Sequence, residues 1–368
     1  MTLRTSRLLV TVLALGLLAG AGASAQEAPP PQPTPTPTPT PAVSQTANYF
    51  NPAISVIGNF LAVGGQNRFD DQPSISLRES ELAFQAVVDP YGRADFFFSV
   101  GEDAIEVEEG YLTLTALPWD LLVKLGRVRV SFGKVNTMHL HMLPWPDEPL
   151  PIPDILGSEE GWIGSGASIS RLIPLPGDVF SELTLQVFRG DSPNLFAAPT
   201  HGGLAYDGHY RVFADLSDST NIDVGASYAF GPNGTTATAM THLSGIDAVF
   251  RWKPLRTALY RQLILRGELY HSNREQPGGA QSATGWYVSG EYQFARRWWV
   301  GIRGESSQVA VDAAIKNTGE AATLTFNPSE FSQFRGELRR RRHAESYTAS
   351  EFLFQVQFAI GAHGAHPF

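Results

Sequence analysis

The sequence predicts an all-β fold, a transmembrane antiparallel β-barrel of about sixteen strands. Three observations predict it. In the last stretch, Glu351 to Phe368, the residues Phe352, Phe354, Val356, Phe358 and Ile360 fall at every second position, with Gln355, Gln357 and Ala359 between them. That is the period of a strand with one apolar face. The same alternation recurs in run after run from Asn51 onward. The connections between runs alternate in length, short and then mostly long. Transmembrane barrels have this property and a soluble sandwich has no reason to share it.

Composition agrees. Of the 368 residues 11% are aromatic, 17% are charged and 35 are glycine, which suits strands and turns better than helices. No stretch after the leader reaches ~18 apolar residues, so a transmembrane helix is excluded. The mean hydropathy of −0.11 fits strands that are each only half apolar. Cysteine is absent, which excludes disulfides and thiolate chemistry. A net charge of −9 argues against a nucleic-acid partner. There is no G-x-S-x-G, no H-E-x-x-H and no convincing Ser–His or Asp–His pairing, so the chain is not read as an enzyme.

Taken in order, residues 1–25 read as a signal peptide: Arg4 and Arg7, the apolar run Leu8 to Leu18, then Ala23-Ser24-Ala25. Residues 26–50 form a Pro/Thr-rich periplasmic linker, including PPPQPTPTPTPTP, an extended spacer. The barrel occupies 51–368. Its predicted strands are 53–63, 76–88, 92–100, 105–116, 121–132, 162–173, 179–190, 207–216, 221–230, 243–253, 261–273, 284–294, 298–308, 319–326, 330–342 and 350–362. An even number puts both termini on the periplasmic side. Aromatics near the short turns, Tyr91, Trp119, Trp252, Tyr260, Trp298 and Trp299, form the expected interfacial girdle.

The period of two assigns faces. Leu82, Phe84, Ala86 and Val88 point one way and Glu79, Glu81 and Gln85 the other; Trp286, Val288, Tyr292 and Phe294 oppose Tyr287, Ser289, Glu291 and Gln293. The polar set lines a lumen wide enough for water. Its basic candidates are Arg127, Arg129, Arg211, Arg251, Arg266, Arg303, Arg335, Arg339 and Arg341. Its acidic candidates are Glu79, Glu81, Glu109, Glu182, Asp215, Asp247, Glu268, Glu291, Glu305 and Glu337. The two sets nearly balance. Either they satisfy each other across neighbouring strands and stiffen the wall, or they set a field that guides anionic solutes.

The longest connection, Gly133 to Gly161, is expected outside or folded into the pore, where Leu143, Trp145 and Leu150 would pack it on the wall. It carries His139 and His141, with Asp147 and Glu148 close by. Two histidines at i and i+2 on an extended segment point the same way, and neutral imidazole suits Zn²⁺ or Cu²⁺. These four are the candidate metal ligands, for Zn²⁺ as a transported or loop-bound ion. No resident cofactor is expected.

The closing strand resembles that of bacterial outer-membrane barrels, whose terminal aromatic, here Phe368, is read by the barrel-assembly machinery. SLRESELAFQAVVDPYGRADFFFSV (76–100), VKLGRVRVSFGKVN (123–136) and TFNPSEFSQFRGELRRRR resemble the porin superfamily that includes phosphate-selective porins. The chain is also similar to sequences described as zinc-regulated TonB-dependent receptors, though too short for a plugged barrel of about 22 strands. The resemblance implies a passive channel for small hydrophilic solutes, anions among them. It also implies contact with outer-membrane lipid and lipopolysaccharide, and a homotrimer. Metal or phosphate uptake, and a structural or adhesive barrel, are the alternatives.

Overall fold

The computed structural model describes residues 52–361 apart from 70, 71, 178, 193, 199, 345 and 346. The expected signal peptide, the Pro/Thr linker and Phe368 lie outside the described residues. Sixteen strands follow one another: β1 (Ala53–Gln66), β2 (Ile75–Asp89), β3 (Gly92–Val100), β4 (Ile105–Leu114), β5 (Leu121–Arg129), β6 (Ile163–Leu172), β7 (Val179–Arg189), β8 (Leu204–Ser217), β9 (Thr220–Pro232), β10 (Met240–Trp252), β11 (Gln262–Arg274), β12 (Gln281–Ala295), β13 (Trp298–Val309), β14 (Asp312–Ser329), β15 (Ser332–Arg342) and β16 (Thr348–Gly361). Each pairs antiparallel with its neighbours in sequence. β1 pairs with β16, Ser55 opposite Gly361 and Gln66 opposite Ser350, so the sheet closes. Closure gives every strand a neighbour on both sides, as hydrocarbon requires.

Alternation sorts the side chains. On β12, Trp286, Val288 and Phe294 are exposed while Tyr287, Ser289, Glu291 and Gln293 are buried. On β16, Phe352, Phe354, Phe358 and Ile360 face out and Gln355 and Gln357 face in. Ile246, Leu265, Ile302, Leu324 and Leu338 continue the outward apolar belt. A belt this extensive would be a liability in water and suits lipid. Tyr91, Trp119, Tyr260 and Trp298 are exposed at the short-turn end.

Turns 90–91, 218–219, 296–297 and 330–331 mark that end, and the connections 130–162 and 190–203 the other. Two local expectations fail. Residues 309–318 are not a long loop: β13 runs to Val309 and β14 starts at Asp312, with Val309 paired to Asp312 and a tight turn between them. Asn327 to Ser329 is not the next turn either. It belongs to β14, where the register shifts between Phe326 and Ser329. Proline is tolerated at such an irregularity because no ladder bond is needed there.

Three irregularities shape the site. The register skips Arg78 between Leu77 and Glu79 in β2, and skips Glu108 between Val107 and Glu109 in β4. Such bulges break the alternation, so neighbouring residues can share a face. The third is a split: β4 pairs with β5 only from Gly110 to Leu114, opposite Val123 to Arg127.

Candidate functional site

The connection between β5 and β6 turns into the barrel. Its Val135, Leu143, Trp145, Ile152, Ile155 and Leu156 are buried with Phe132 and Trp162 against Phe188, Tyr270 and Tyr287 of the wall and Phe196 of the 190–203 connection. Trp145 meets Tyr287 edge-on, with ring centroids 5.4 Å apart, and Arg303 lies 5.0 Å over the Trp145 ring. A buried segment must place its polar backbone groups. Here inward-facing strand residues do so. Glu268 accepts from Lys134 N (3.1 Å) and Val135 N (2.9 Å), and also from the hydroxyls of Tyr270 and Tyr287. Glu305 accepts from Leu150 N at 3.1 Å. Arg335 donates to Leu143 O at 3.0 Å and Gln357 to His141 O at 3.3 Å. The Lys134 ammonium pairs with Asp223. The loop thus touches wall segments far apart around the ring.

Asp147 is the strongest anchor. Its carboxylate meets Arg303 at 2.7 Å and Arg339 and Arg341 at 2.8 Å each. Burial alone would raise its pKa, but Arg303, Arg341 and Arg339 more than reverse this and hold it well below the usual carboxylate range. Glu148 lies 3.4 Å from Arg78, whose guanidinium also donates to Pro146 O. Burial dominates there and pushes Glu148 up to about 7 despite the pull of Arg78.

A second cluster lies against β2 to β4. His139 Nδ1 is 2.7 Å from Glu81 Oε2 and 2.7 Å from Glu108 Oε2, and His139 Nε2 is 2.9 Å from Glu109 Oε2. His141 Nδ1 is 3.2 Å from Glu81 Oε2. His139 precedes the short 3₁₀ turn Leu140–Met142 and His141 lies within it, so the segment is not extended, yet both rings reach Glu81. The Phe97 ring sits 4.8 Å from that of His139. Burial alone would lower the His139 pKa, but the carboxylates of Glu108, Glu109 and Glu81 beside its ring raise it well above the ordinary value.

The four loop residues expected together as metal ligands therefore separate. His139 and His141 join three glutamates from the wall, while Asp147 and Glu148 join arginines. The division follows the charges of the wall: Arg303, Arg339 and Arg341 hold Asp147 and Arg78 faces Glu148, while Glu81, Glu108 and Glu109 face the histidines. Elsewhere, His242 on β10 bonds Tyr228, and His343, after β15, stacks on Phe69 and Tyr347.

The arginines expected to line the lumen mostly meet carboxylates. Arg211 pairs with Asp223 (2.7 Å), Arg266 with Glu291 and Arg339 with Glu351 (2.8 Å). Arg303 also meets Glu305 at 3.1 Å. Arg335 bonds Thr325 and Gln355, and Arg251 is half-buried on β10. Arg127 and Arg129 bridge the split between β4 and β5. Arg127 donates to Val107 O, while Arg129 N donates to Glu109 and its guanidinium to Glu108. Glu79 is buried beside Glu81 on the inner face. Sequence reasoning passed over Arg78 and Glu108, because strict alternation excludes one of two adjacent charged residues. Adjacent charges within a strand, as in Arg78-Glu79 and Glu108-Glu109, are the signal that could have pointed to the bulges.

No family model matches the chain. An uncharacterised protein of Aquifex aeolicus (strain VF5) is 27% identical over 341 residues, 81% of this chain and 71% of its own length. Several solved structures share the fold. The anion-selective porin of Comamonas acidovorans matches with a TM-score of 0.57 at 12% identity, over 84% of this chain and 100% of its own. OprB of Pseudomonas putida matches at 0.57 and 9%, over 86% and 95%. OmpT of Vibrio cholerae in its trimer form matches at 0.55 and 8%, over 84% and 100%. The chain therefore shares the fold of these porins, a closed antiparallel β-barrel of sixteen strands.

Proposed function

We propose that the protein is a passive channel for small hydrophilic solutes across the outer membrane, narrowed by its inward-turned loop. The observation that carries this reading is the docking of the 130–162 connection on inward-facing residues of the wall, with Asp147 held by Arg303, Arg339 and Arg341. A barrel of this strand number is wide enough for an aqueous route, and an inserted loop makes it selective by size. Porin folds are typically non-enzymatic channels, and the same reading applies here.

The Comamonas neighbour is anion-selective. The same preference in this chain would need guanidiniums free of carboxylates, whereas Arg211, Arg266, Arg303 and Arg339 each face one. Weak charge selectivity follows. In a planar bilayer with a tenfold KCl gradient, the refolded protein should conduct in discrete steps with a reversal potential near zero. A strong anionic or cationic potential would contradict the paired-charge account. We extend the trimeric assembly of the Vibrio neighbour to this protein as part of the proposal.

A further inference from the structure

We propose that Glu81, Glu108, His139 and His141 form a binding site for a divalent transition-metal ion of the zinc type, with Glu109 orienting His139. The carboxylates come from the wall and the imidazoles from the inserted loop. One ligand atom each from Glu81, Glu108 and His139 lie within 4.8 Å of one another, and all three residues are buried. The fourth donor, His141 Nδ1, is 3.2 Å from Glu81 Oε2.

Three features favour a metal over a purely structural cluster. First, the hydrogen bonding is incomplete. Nδ1 of His139 bonds Glu108 at 2.7 Å, and one N–H cannot serve two acceptors well. Glu81 Oε2 is left buried without a hydrogen bond of proper geometry, although it is aimed into the cluster. Glu79 Oε1 is also buried and unbonded. A buried carboxylate oxygen without a partner is costly, and a bound cation removes that cost.

Second, the donor set is selective. Two imidazoles with two carboxylates suit zinc-type ions, whereas Ca²⁺ and Mg²⁺ prefer all-oxygen shells. Tetrahedral zinc with bonds of about 2.1 Å places neighbouring donors ~3.4 Å apart. His139 Nδ1 lies 2.7 Å from each of Glu81 and Glu108, and His141 Nδ1 3.2 Å from Glu81, so these pairs would move apart by well under about 1 Å. In that shift the metal takes the place of the proton on Nδ1.

Third, the orienting contact is present. Nε2 of His139 faces Glu109 at 2.9 Å, the carboxylate–histidine arrangement that fixes tautomer and ring angle in metal sites. A cavity of about 160 Å³ lined by Glu79, Arg129 and Met138 meets the cluster at Glu108.

The test is equilibrium dialysis of the full-length refolded barrel against micromolar Zn²⁺ with excess Mg²⁺, followed by metal analysis. X-ray absorption on the same wild-type sample reads the ligand atoms. One zinc per barrel with imidazole scattering is expected. His139→Gln and Glu108→Gln should abolish stoichiometric binding. Glu109→Gln should weaken it roughly 10–100-fold, and His242→Gln should leave it unchanged. Heat-dependent gel mobility identifies variants that fail to fold. The wild-type absorption result decides the question without them. Sub-stoichiometric zinc, an all-oxygen shell, or full binding by folded His139→Gln would each overturn the site. None of these outcomes bears on whether the barrel conducts.

Discussion

Asp147 shows how one side chain fixes the position of a whole segment. It is a carboxylate surrounded by the guanidiniums of Arg303, Arg339 and Arg341, with Glu305 and Glu337 completing the network behind them. Removing one member of a buried ionic network leaves the others uncompensated, at a cost of about 3–5 kcal/mol. Asp147→Asn should therefore release the loop locally while the closed barrel persists. Hydrogen exchange is expected to rise across 143–151 and stay unchanged in the strands. Equal exchange in both proteins would contradict the anchoring role. The pH dependence has a definite sign. The carboxyl is held below its unfolded value of about 3.9, so its stabilising effect is complete above that pH. It is lost as pH falls through the lowered native value. Protection of 143–151 should hold from pH 7 to about 5 and fail only in strong acid.

Among the elements, the strands were legible in the sequence and the bulges were not. Phe352 to Ile360 and Trp286 to Gln293 announce their faces through a period of two, because lipid and lumen impose opposite demands on alternate residues. Arg78 and Glu108 break that period, and a bulge leaves almost no mark in composition. The loop histidines were legible as a pair, but their partners lie on β2 and β4, distant in sequence. Only the closed topology brings them together. Gly126 marks the seam where β4 and β5 begin to separate. Its φ is 143°, and an added Cβ would lie 2.2 Å from Gly110 O. Gly126→Ala should unseat this seam and lower the folded fraction in refolding assays, whereas Gly304→Ala, where nothing stands within 4 Å, should not. Ile302 points outward, so Ile302→Lys should cost about 2–4 kcal/mol if it sits at the bilayer midplane. Equal refolding into lipid vesicles by that variant would count against the outward facing of β13.

At the scale of the whole molecule, sixteen strands make a wide cylinder and one loop narrows it. The apolar side of the loop packs on Tyr270, Tyr287 and Phe188, while its polar side bonds Glu268, Glu305 and Arg335. The most direct measurement is single-channel conductance of the refolded protein beside a variant in which residues 138–157 are replaced by a short Gly/Ser linker. The account predicts discrete openings for the native chain and a several-fold larger step for the variant. Equal steps, or no conductance from either correctly folded barrel, would contradict a channel constricted by its own loop.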